Sequence, residues 1–140
     1  MKSWQRSPGS GRRADVSDWS PPLLVLVSLQ RQLERGPKRE GALALWLTVR
    51  VALDLGLSAE PPDRADRRRV ALLGRRISTL AMPRSLARGL TTAMSHLDSG
   101  TSAGARVALA QLVAPARDAL GTEAADAIAQ AARLIHEQRR

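Results

Sequence analysis

Arginine is well suited to gripping phosphate, because its planar, permanently charged guanidinium forks two donors onto paired oxygens. Six arginines crowd into the sixteen residues DRADRRRVALLGRRIS: Arg64, Arg67, Arg68, Arg69, Arg75 and Arg76, against only Asp63 and Asp66. Both aspartates fall where a first helical turn would carry them, in step with the helix dipole. A merely solvated face usually mixes signs along i, i+4 pairs, and this one does not. At about 100° per residue, Val70, Leu73, Ile77 and Leu80 form one apolar stripe. Arg64, Arg68 and Arg75 fall opposite it, with Arg69 and Arg76 on one flank and Arg67 on the other. Arg84 and Arg88 continue the run beyond Pro83. The chemistry expected of such a face is a salt-sensitive, sequence-tolerant grip on a phosphate backbone. The competing readings are a plain solvated surface or one that meets an acidic protein.

Other constellations lead elsewhere. Gly100, Ser102 and Gly104 spell G-x-S-x-G, with His96 and Asp98 just upstream. A nucleophile elbow needs a strand before the serine and triad partners arriving from distant loops. Here the preceding segment reads as helix, so DSGTS is expected to be a turn with a Thr or Ser N-cap for the helix that follows. His96 and His136 are isolated, and no Cys or carboxylate stands at ligand spacing beside either. GPKREG lacks the strand and spacing of a phosphate loop. The chain is expected to be no enzyme, with no cofactor and no metal.

The 140 residues suffice for one core and carry a formal net charge of +9 and a sequence pI near 11.6, with twenty Arg and two Lys. That excess predicts an anionic partner. The chain has no Phe and no Tyr, which argues against single-strand recognition by base stacking. It also has no Cys, so disulfides and thiolate metal sites are excluded, in keeping with a reducing cytoplasm. The first twenty residues lack an apolar signal core. PPLLVLV is too short for a bilayer, and GALALWLTVRVALDLGL is interrupted by Arg50 and Asp54. An intracellular protein without a membrane segment is expected.

The apolar residues are mainly Ala, Leu and Val, a set that fills space between packed helices better than between sheets. The expected fold is all-α, a compact bundle of five to six helices with a four-helix core. Residues 1 to 17 read as a flexible basic tail and 18 to 140 as one domain. Helix starts and stops are punctuated by Gly, Pro and capping residues. The first helix should open near Asp18 and stop at Gly36-Pro37. The second, from Lys38 to Leu55, is apolar round most of its circumference and should be the buried centre. The third should run from an Asp63 N-cap to Ala81, the fourth from Pro83 to Leu97, and the fifth from Thr101 to Leu120 across Pro115. Thr122 should cap the sixth.

RVALLGRRI, within which Leu73-Gly74-Arg75-Arg76-Ile77 stands, is similar to an L-G-x-R-I stretch of a family of small four-helix bundles. These are the proteins encoded in ribosomal RNA intervening sequences and the accessory subunit (Avd) of diversity-generating retroelements. MPRSLARG, residues 82 to 89, resembles their I-P-x-N-I-A-E-G segment, and ARDALG, residues 116 to 121, their A-R-x-L-G. Ser85 stands where that family has Asn, and Arg88 where it has Glu. The resemblance spans about half the chain. It implies a basic, ring-like homo-oligomer that binds nucleic acid, RNA before DNA, and partners a reverse transcriptase. The expected function is therefore that of a nucleic-acid-binding accessory subunit. The alternative is an adaptor or scaffold whose arginines meet an acidic protein.

Overall fold

The computed structural model describes residues 21–35, 39–58 and 60–138. The expected basic tail, the helix start at Asp18 and the Gly36-Pro37 break lie outside the described residues. Six helices occur among the described residues: α1 Pro21–Arg35, α2 Arg39–Leu57, α3 Arg64–Ser78, α4 Arg84–Leu97, α5 Ser102–Leu120 and α6 Thr122–Gln138. No strand occurs among the described residues, so the all-α expectation holds.

Four helices close a ring. α1 packs on α2, α2 on α5, α5 on α6, and α6 back on α1. Twelve of the nineteen residues of α2 are buried, which makes it the central element its sequence pointed to. Leucine and isoleucine side chains such as Leu45, Leu53, Leu109, Leu112, Ile128 and Ile135 are fully enclosed. Alanines 105, 108, 116, 124 and 131 fill the α5 and α6 faces, and small side chains let these helix axes come close. Trp46 is the one described aromatic residue. It stays half-buried, and its indole N–H donates to the Leu26 carbonyl oxygen at 3.1 Å, tying α2 to α1. α4 lies outside the ring against α5, burying Leu86, Leu90, Ala93 and Leu97. α3 is outermost and leans on α2 and α4.

The breaks follow local chemistry. Asp63 caps α3 through a full capping box: its side chain accepts from the Asp66 N–H at 2.9 Å, and Asp66 accepts from the Asp63 N–H at 3.1 Å. α3 stops at Ser78, three residues short of the expected Ala81. The Ser78 and Thr79 hydroxyls turn back to the Arg75 and Arg76 carbonyls, 2.7 Å each, and the Thr79 and Leu80 N–H groups bond three residues back, closing the helix with a tight turn. Pro83 then separates α3 from α4, whereas Pro115 lies inside an unbroken α5. Thr122 is not the N-cap of α6 but its first helical residue. Gly121, at φ 103°, ends α5, and its carbonyl accepts the first bond of α6 from the Ala125 N–H. Only glycine enters that backbone region cheaply, so a single residue suffices between the two helices.

Candidate nucleic-acid interface

α3 presents its arginines because its other face is committed. Val70, Leu73 and Ile77 are buried, each contributing roughly 1.5–3 kcal/mol of apolar transfer to docking. With that stripe turned inward, Arg64, Arg68, Arg75 and Arg76 are all exposed. Arg84 and Arg88 are also exposed, one turn apart on the first half of α4. The connection 79–83 keeps Arg84 within about 20 Å of the end of α3 even if fully stretched. From position 67 to position 97 the chain contains seven arginines and no Asp or Glu. That one-signed span covers all of α3 after its first turn and the whole of α4.

Two of the eight arginines, Arg67 and Arg69, expected on the flanks of this face, have further surroundings. Arg67 is exposed but lines a crevice of about 220 Å³ under the first turn of α3, with Leu55, Val70 and Leu97 as its apolar walls and Asp66 and Asp98 at its rim. Arg69 leans inward, and its Nη1 lies 2.5 Å from Oδ2 of Asp54 in α2. Asp54 is 1% exposed, and Arg50, one turn earlier in α2, brings its Nε to 3.8 Å from the same oxygen. A buried carboxylate needs such cations, because desolvation is costly unless the charge is paired. In the sequence Asp54 stands out only as an interruption of an apolar stretch. The signal was present: an i, i+4 Arg–Asp pair inside a helix that is apolar nearly all round must bury one of its members.

The G-x-S-x-G stretch serves the fold. Thr101 caps α5 by accepting from the Gly104 N–H at 2.9 Å, as a turn-and-cap reading requires. Ser102 is buried, and its hydroxyl donates to the Gly56 carbonyl oxygen at 3.0 Å, joining the start of α5 to the end of α2. No group of three His, Cys, Asp or Glu able to hold a metal ion occurs among the described residues. No described helix is long and apolar enough to cross a membrane. Comparisons with protein-family models, with curated proteins and with solved structures find no match.

Proposed function

We propose that this chain is a non-enzymatic, basic helical protein that binds nucleic acid through its backbone phosphates. The observation carrying this reading is the carboxylate-free span from position 67 to position 97, with Arg67, Arg68, Arg75, Arg76, Arg84 and Arg88 exposed on it and Arg64 exposed just before it. Guanidinium groups at that density neutralise phosphates and release counterions without needing aromatic stacking platforms, and this chain has neither Phe nor Tyr. The contacts read backbone shape, and RNA is the proposed duplex before DNA. A role as cytoplasmic accessory subunit, self-associating and partnering a reverse transcriptase, extends the same proposal along the sequence resemblance.

A salt titration of binding to an RNA duplex and a DNA duplex tests it. Affinity should fall steeply with salt, with a slope of several released ions. Arg68→Glu with Arg75→Glu should weaken binding several-fold at unchanged melting temperature. A shallow slope, or a charge-reversed protein that binds as tightly as the parent, overturns the reading.

One observation favours an adaptor reading instead. Leu72, 53% exposed, stands among Arg68, Arg75 and Arg76 on the outer face of α3. An apolar knob ringed by cations suits an acidic protein surface with a small socket better than a phosphate track.

A further inference from the structure

The pairing of Asp54 with Arg69 joins the interior of the bundle to its basic face. Asp54 is enclosed in α2, and two arginines reach its Oδ2 from different helices: Arg69 from α3 at 2.5 Å and Arg50 from α2 itself at 3.8 Å. Both keep part of their side chains in solvent, 41% for Arg69 and 34% for Arg50. The acid therefore has a close partner on the basic face and a second one in its own helix. α3 is bounded on both sides by connections bearing prolines, Pro61 and Pro62 before it and Pro83 after it. Its apolar hold on the bundle is three buried side chains, and the crevice under its first turn leaves that end loosely packed.

We infer that Asp54 is an internal competitor for the polyanion: it withdraws Arg69 from the phosphate-binding face and latches α3 onto α2. A bound polyanion reclaims Arg69, and Arg50 closes on the carboxylate in its place. The exchange is cheap because the buried acid keeps a cation throughout. Polyanion binding and release of the latch are thus linked, each favouring the other. The competition rests on the phosphate-binding reading of α3, whereas the latch does not.

Three variants and two readouts separate these. Asp54→Asn, compared with the parent on an RNA duplex, should bind about threefold more tightly, and its salt slope should steepen by about 0.9, one further phosphate contact. Arg69→Gln in the Asp54→Asn background should remove both gains. Without RNA, amide exchange across residues 64–78 should quicken about tenfold in Asp54→Asn relative to α5, since one tie to α2 is gone. Arg50→Ala, which does not touch the Asp54–Arg69 contact, should act the other way and slow exchange in α3, so the latch stays testable if Asp54→Asn folds poorly. Unchanged affinity and slope in Asp54→Asn, in a protein that binds the duplex, overturn the competition. If the parent binds no duplex, the functional reading of the face fails and the competition with it. The latch then stands or falls on α3 exchange alone, and unchanged exchange in both variants overturns it.

Discussion

Gly89 of α4 lies so close to Pro115 of α5 that a Cβ at position 89 would sit 2.7 Å from the proline Cγ. The ring of a proline cannot swing away, since it is tied to its own backbone. This contact sets how closely α4 approaches α5, and α4 in turn carries Arg84 and Arg88. Gly89→Ala should therefore destabilise the protein by roughly 1 kcal/mol, an overpacking cost of about 1–3 kcal/mol partly offset by about 1 kcal/mol of helix propensity. Pro115→Ala in the same chain should relieve the clash. Chemical denaturation of the two single variants and the double checks this, and strictly additive effects would show that the contact does not set the spacing.

A second close approach joins α2 to α6. A Cβ at Gly56 would fall within 2.4–2.6 Å of the Ile135 side chain, and the Gly56 carbonyl accepts the Ser102 hydroxyl. Ser102 is thus a buried donor whose partner is backbone. Ser102→Ala should cost about 1–3 kcal/mol of stability by leaving a buried carbonyl short of a partner. A nucleophile would behave differently: its loss would abolish ester hydrolysis while leaving the melting temperature in place. Melting the variant and assaying a generic ester distinguish the two.

The division between what the sequence revealed and what it concealed follows from the range of the forces involved. Asp63, Pro83, Thr101 and Gly121 act within a few residues of themselves, so helix breaks near them were readable to within about three residues. The all-round apolar pattern of α2 likewise announced its central place, because an exposed helix does not carry such a pattern. The α3 stripe and its opposite arginines also came straight from the helical period. Concealed was the pairing of helices into a ring, which depends on which alanine-lined faces meet, and alanine faces look alike. The contact of Arg69 with Asp54 is concealed for a related reason. Its angular position on α3 does not show that an acid of another helix waits beneath it.

Arg50 and Arg69 share one acceptor, so their losses should not add. Either Arg50→Ala or Arg69→Ala leaves Asp54 one cation, and each should cost about 1 kcal/mol, within the range of ordinary single substitutions. Removing both leaves a buried carboxylate without either arginine, a state worth about 3–5 kcal/mol of instability. Denaturation of both singles and the double gives the coupling directly. A double variant that loses only the sum of the singles would mean that Asp54 does not depend on this pair.

Leu72 decides between the two kinds of partner for the basic face. Phosphates have no apolar surface to cover a leucine, so on the nucleic-acid reading Leu72→Ala should leave duplex affinity within about twofold and the salt slope unchanged. It should also leave stability nearly unaltered, because the side chain is already 53% exposed. A protein partner seating Leu72 in a socket would treat it as an anchor ringed by Arg68, Arg75 and Arg76, and truncation would then cost about 2 kcal/mol, some thirtyfold in affinity. Isothermal titration separates these by the sign of the heat-capacity change as well as by affinity. Apolar burial on a protein surface makes that change negative, and its loss in Leu72→Ala should be measurable. A Leu72→Ala protein that binds the RNA duplex as its parent does, while Arg68→Ala lowers the salt slope by about 0.9, would assign the face to phosphate.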